Sequence, residues 1–187
     1  NGHLERLNSG YDFIRGDIVE EKLVSEAMKD VDVVFHLAAV PSIYKSNHNW
    51  LRTHEINMTG TINIFNCARE RKIPVVYASS AAVYGDNAEY PLHERLAIRP
   101  ITAYGADKLG CELHARVASL VHQIPTCGLR LFNVYGPGQD ANSPNSGVIS
   151  IFSDRLLNRQ PITIYGDGEQ LRDFIYVGDV VRALTSA

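Results

Sequence analysis

Short apolar runs rich in β-branched residues, separated by long stretches of helical patterning, constrain this chain more than any other feature. The runs are Val31 to Val40, Val75 to Ala78 and Thr126 to Phe132, with Pro74 and Pro125 marking the entries to the second and third. Near-continuous apolar strands of this kind are expected where both faces of a sheet are covered. The stretches between them, Asn49 to Arg71 and Tyr104 to Val121, carry apolar residues at helical spacing. Strands alternating with helices give a parallel sheet, and right-handed crossovers then put helices on both faces. The expected fold is therefore α/β, a Rossmann-type doubly wound sheet. Upstream, Phe13-Ile14 reads as a strand stub, Gly16-Asp17 as a turn and Glu20 to Lys29 as an amphipathic helix. After Val148 the alternation weakens into a helix to Asn158, short strands at Ile162 to Tyr165 and Arg172 to Tyr176, and a last helix from Val180. Residues 1–147 thus read as one domain and 148–187 as part of a smaller region with elements returning to it.

Composition narrows the function classes. Hydrophobic residues make up 45% and charged residues 21% of the 187 positions, as in ordinary globular domains. With 18 Lys and Arg against 21 Asp and Glu, the net charge of −3 provides no basic field for nucleic acid or anionic lipid. No apolar run is long enough to span a bilayer, and no basic-then-apolar leader opens the sequence, so a cytoplasmic protein is expected. Cys67, Cys111 and Cys127 are far apart, and the seven histidines show no paired spacing; small buried thiols and no metal site are the reading. His36, in a buried strand, reads as a satisfied core residue. The polar start Asn1-Gly2-His3 and the end at Thr185-Ser186-Ala187 within a helical pattern suggest a chain cut at both ends.

Connections after the strands run long, Tyr84 to Thr102 and Asn133 to Gly147, and open α/β sheets bind ligands at the carboxyl ends of their strands. There, Ser79-Ser80 end a strand, and Tyr104 and Lys108 stand four apart at the start of the next helix, on one face. In a chain of this composition about one sequence in four has such a Tyr–Lys pair by chance, so the weight comes from the location. A hydroxyl, a phenol and an ammonium together suit proton and hydride chemistry at a carbinol. A close cation and a positive nicotinamide ring would have to lower the phenol by about 3 pH units, roughly 4 kcal/mol.

The segments Ala78-Ser79-Ser80-Ala81-Ala82-Val83-Tyr84-Gly85 and Tyr104-Gly105-Ala106-Asp107-Lys108 resemble the extended short-chain dehydrogenase/reductase family. Phe35 to Ala39, Leu129 to Pro137 and Gly166 to Phe174 are similar to its NAD-dependent nucleotide-sugar epimerases. The resemblance implies Tyr104 as catalytic base, Ser80 as its hydrogen-bonding partner, and Lys108 as both the cation and a ribose contact. It implies NAD contacts from Asp17 and Ile18 at the adenine, from Leu37, Ala38 and Ala39 at a strand end, from Phe132 near the nicotinamide, and support from Asn57. For a UDP-sugar it implies Ser80, Asn133, Thr163, Tyr165 and Arg172, the last as the diphosphate cation. It also implies a homodimer paired through two long helices.

A Gly-rich dinucleotide fingerprint is missing, and on the order of 30 residues of a first βαβ unit are expected upstream, so the chain alone is expected to bind NAD weakly. Ala81 and Ala82 stand where the family's dehydratases carry an acid, which favours reversible oxidation at one carbon over elimination. The expected activity is epimerisation at C4 of a UDP-hexose through a 4-keto intermediate. A reductase or epimerase/reductase acting at another carbon is the alternative, and a non-enzymatic dinucleotide sensor a second. Leu171 and Asn145 occupy places where the resemblance calls for a small hydroxyl residue and an aromatic one, which leaves the sugar open.

Overall fold

The computed structural model describes residues 10–143 and 146–187, so Asn1-Gly2-His3 and Asn145 lie outside the described residues. Its centre is a parallel sheet of β1 (Val34–His36), β2 (Val75–Ser80) and β3 (Thr126–Leu131), in that order. The register pairs Val34 with Val75 and Ser80 with Leu131. Side chains of β2 alternate between two cores. Val75 and Tyr77 face α1 (Glu21–Ala27), α4 (Gly60–Ala68) and α5 (Ala103–His122), among Ile64, Phe65, Ala115 and Ala118. Val76 faces the opposite way, onto Val180 and Leu184 of α7 (Val177–Ser186). Helices therefore cover both faces, as expected for a doubly wound sheet.

Gly128 explains how the ring of Tyr77 fits across the neighbouring strand: a Cβ there would stand 2.4 Å from the Tyr77 ring. Bulk on one strand is accommodated by its absence on the next. A second parallel pair, β4 (Asn133–Tyr135) with β5 (Phe174–Tyr176), joins the end of the third strand to the last helix. Between them lies α6 (Val148–Leu157).

Several elements differ from the sequence reading. Phe13-Ile14 is not a strand; both side chains are exposed and no described strand pairs with them. The strand expected over Val31 to Val40 shrinks to three residues, which pair only with β2 among the described residues, and one face is left open, with Val33, Phe35 and Leu37 exposed. Ile162 to Tyr165 forms no strand, since no described neighbour offers it a ladder, and the last helix begins three residues earlier than expected. The long helix over Asn49 to Arg71 is preceded by a separate turn of helix, α2 (Ile43–His48), N-capped by Ser42. It runs as α3 (Trp50–His54), one π-helical turn (Glu55–Thr59) and α4. Of the three cysteines only Cys111 is buried.

Candidate active site

The end of β2 is tied to the start of α5 by local chemistry. Ser80 caps a short 3-10 turn, Ala81–Val83, its hydroxyl accepting from Ala82 N at 3.2 Å. Thr102 caps α5 in the same manner, accepting from Gly105 N at 3.0 Å, so that Tyr104 falls in the first turn. Gly105 lets the two turns touch: a Cβ there would come within 2.6 Å of the Ala82 carbonyl oxygen. Gly85 closes the connection with a φ of +60° and no room for a Cβ against the Arg99 carbonyl. Ser80, Tyr104 and Lys108 are thereby brought together, with the Ser80 hydroxyl near enough to the phenol to favour its ionised form.

Lys108 is 5% exposed; its Nζ donates to the Ala78 carbonyl at 2.8 Å and lies 5.9 Å from the centre of the Tyr104 ring. Burial holds its pKa below the ordinary lysine value. Burial also pushes Tyr104 above the ordinary phenol value, and Ser80 only partly opposes that rise. The acidified phenol expected from the sequence is therefore not a property of these side chains alone, because desolvation outweighs the effect of the Ser80 hydroxyl.

Beneath the trio lies a buried polar layer. The Thr61 hydroxyl donates to the Asn57 carbonyl at 2.6 Å, which uses its only proton, so His36 Nε2, at 2.9 Å, is the donor to Thr61. His36 is thus a hydrogen-bonded core residue. Burial and the Lys108 charge lower its pKa to about 4. An unfolded chain takes up this proton near pH 6.5 and the folded one only near 4, so stability falls on acidification through that window. The expected loss is at most about 1.4 kcal/mol per pH unit. Denaturant titrations at stepped pH check it: His36→Gln should flatten the slope between pH 6.5 and 4.

Asn57, in the π-turn, spends its amide on one residue, accepting from Val40 N at 2.7 Å and donating to Val40 O at 3.2 Å. It is 1% exposed and pins the loop after β1 instead of facing outward. Leu37, Ala38 and Ala39 leave β1 at its carboxyl end, largely exposed, with two small side chains that let a flat ligand approach the backbone. Asp17 accepts from Val19 N at 3.1 Å and pairs with Arg52, while the Ile18 side chain packs where a Cβ on Gly60 would be. The Ile18 carbonyl accepts from Asn63 Nδ2 at 3.0 Å.

Four of the five residues assigned to the substrate come together elsewhere. Asn133, Thr163, Tyr165 and Arg172 line one cleft of about 660 Å³, while Ser80 does not. Asn133 Nδ2 donates to the Asp173 carbonyl at 2.8 Å, and the Arg172 guanidinium donates to the Leu171 carbonyl at 2.7 Å. Arg172 makes no ion pair with Asp173, so its charge is available to an anion. Phe132, half-buried between β3 and β4, lines a different cavity of about 690 Å³.

One group escaped the sequence reading. Arg130 on β3 makes a two-pronged contact with Glu112 of α5, at 2.9 and 2.8 Å, and donates to the Tyr84 hydroxyl at 3.0 Å. Glu112 also accepts from Ser79. These bonds tie β3 to β2 and α5, the two elements that carry the trio. Its signal was an Arg within an otherwise uncharged strand, a position where an unpaired charge would be costly.

A doubly wound parallel sheet with its ligand-facing edge at the carboxyl ends of the strands places this molecule among the Rossmann-type α/β proteins. More closely, the chain belongs to the NAD dependent epimerase/dehydratase family, whose pattern it matches over residues 1–187. It is 32% identical over 195 residues to the UDP-glucose 4-epimerase of Mycolicibacterium smegmatis, covering 100% of this chain and 62% of that one. The structure of the UDP-glucose 4-epimerase from Thermotoga maritima with UDP-glucose superposes with a TM-score of 0.94 at 31% identity, covering 98% of this chain and 61% of that one. The UDP-N-acetylglucosamine 4-epimerase from Methanobrevibacter ruminantium, in complex with UDP-N-acetylmuramic acid, gives 0.88 at 39%, covering 92% and 56%. The chain thus spans about 60% of the length of these relatives. Among the described residues no helix is long and apolar enough to cross a membrane.

Proposed function

We propose that the protein to which this chain belongs interconverts UDP-hexoses by epimerisation at C4, through a transient 4-keto sugar. The observation that carries the reading is the meeting of Ser80, Tyr104 and Lys108 where β2 ends and α5 begins. Tyr104 takes the C4 hydroxyl proton and later returns it. Ser80 favours the ionised phenol, and Lys108, fixed on the Ala78 carbonyl, keeps a positive charge beside it. The exposed strand end at Leu37, Ala38 and Ala39, with Asp17, Ile18 and Phe132, fits a dinucleotide, and Asn57 supports it by holding Val40. NAD, when bound, supplies a hydride acceptor and donor at C4 and a positive ring that favours the ionised phenol. Arg172 and Asn133 hold the diphosphate, and Thr163 and Tyr165 the uracil, in the cleft they line.

In this reading residues 1–147 form the cofactor half and 148–187 part of the substrate half. The test is a panel of UDP-hexoses supplied with NAD and the full-length protein, the C4 configuration of each product being read by NMR. Product changed at another carbon, or net consumption of NADH when that form is supplied instead of NAD, would replace this reading with an epimerase/reductase or a reductase. The apolar stripe Leu113, Val117, Leu120 and Val121 on the outer face of α5 is exposed and suits helix pairing in a homodimer. Sedimentation equilibrium checks it: Leu120→Glu should convert dimer to monomer.

A further inference from the structure

Residues 161–165 form a wall of the cleft that Asn133 and Arg172 also line, yet no strand ladder holds them. An extended run without strand neighbours keeps much of its backbone freedom, and a ligand that has to order it loses affinity in doing so. Setting Thr163 and Tyr165 before a base arrives therefore falls to side chains from elsewhere. One stands at each end. At the start, Arg155 reaches across from α6, and its Nη1 donates to the Pro161 carbonyl at 3.2 Å. Pro161 has no N–H, so this carbonyl is the one backbone handle it offers.

At the far end, Gln170 Nε2 donates to the Tyr165 carbonyl at 2.7 Å. A carbonyl can only accept, which fixes the way the Gln170 amide faces. Gly166 makes the contact possible: its φ is +81°, and a Cβ there would stand 2.5 Å from Gln170 Nε2. Among the described residues no other hydrogen bond reaches 161–165. We propose that Arg155 and Gln170 are positioning residues that clamp this segment by its two end carbonyls, so that its side chains are set before the nucleotide base binds. The proposal rests on the placement of uracil at Thr163 and Tyr165 given above and adds the device that makes that edge rigid. Neither residue approaches the reacting carbon in this scheme, so affinity and not chemistry should depend on them.

Gln170→Glu in the full-length protein tests it, exchanging the amide donor for a carboxylate of nearly the same shape that repels the carbonyl. Without ligand, the ¹⁵N order parameters of residues 162–165 should fall from about 0.85 to below about 0.6. The dissociation constant of UDP, read by calorimetry, should rise about tenfold. KM for the UDP-hexose should rise with it while kcat stays within about twofold. Arg155→Leu should act in the same way, and it carries the test if Gln170→Glu fails to fold. Inorganic pyrophosphate is the control, because it needs no wall for a base, and its affinity should not change. A loss of pyrophosphate affinity matching that of UDP in Arg155→Leu would assign the guanidinium to the phosphates and overturn the clamp. Unchanged order parameters overturn it too and leave the uracil placement standing. A loosened segment with unchanged UDP affinity overturns it through the uracil placement itself. Product changed at another carbon would defeat the C4 reading without touching these measurements.

Discussion

Replacing Tyr104 by Phe should lower turnover of the UDP-hexose by about 10²- to 10⁴-fold in the full-length protein, the usual worth of a positioned proton-transfer group. The substitution removes one oxygen from a half-buried ring in the first turn of α5 and leaves the Thr102 cap and the Gly105 contact untouched. Binding of UDP should stay within about twofold, because Arg172, proposed above for the diphosphate, lies in a cleft that Tyr104 does not line. Single-turnover kinetics with calorimetry of UDP binding separates the two effects. Near-normal turnover would show that another group carries the proton, and a large loss of UDP affinity would show that the site has been disturbed as a whole.

A second large effect should come from a residue with no place in the chemistry. Arg130→Ala leaves the Glu112 carboxylate between β2, β3 and α5 without its counter-charge and frees the Tyr84 hydroxyl. Breaking a buried pair from one side costs about 3–5 kcal/mol, and the lower end applies because each side chain remains 17% exposed. For a chain of this size about 3 kcal/mol corresponds to a melting point lower by roughly 6–12 °C. Calorimetry supplies the number, and a paired variant supplies the control. Arg130→Met combined with Glu112→Leu removes both charges and should recover much of the loss; a double variant as unstable as the single one would mean that packing, not charge, is at stake.

Legibility of the site in the sequence varied with how local the signal was. The turns that carry Ser80, Tyr104 and Lys108 are built from neighbours in the chain: Ser80 bonds Ala82, and Thr102 bonds Gly105. Their residue types could therefore be read directly. The Val75 to Ala78 run found its strand for a similar reason, since central strands buried on both faces leave an apolar record. Val31 to Val40 gave the same record and yielded a strand of three residues, with Val33, Phe35 and Leu37 left exposed, since apolar content does not say which side chains the fold will cover. Ile162 to Tyr165 looked like a strand and became an extended loop. Apolar alternation says that a segment can pair; it carries no information on whether a neighbour is present.

Asn57 shows the same limit at the level of one side chain. A polar residue amid apolar helical sequence reads equally as exposed or as buried and bonded, and only the fold brings the Val40 backbone, 17 residues away, to its amide. The Asp107 to His54 bond spans 53 residues and the Tyr84 to Arg130 bond 46. By itself the sequence determined the alternating α/β order, the caps that start the 3-10 turn and α5, and the hydroxyl, phenol and ammonium that those turns display. The tertiary structure alone decided which charges face each other, that burial leaves the phenol less acidic instead of more, and that four candidate substrate residues share one cleft. Hydrogen bonds within a turn are written in adjacent letters, whereas desolvation and long-range pairing depend on what the folded chain places around a group.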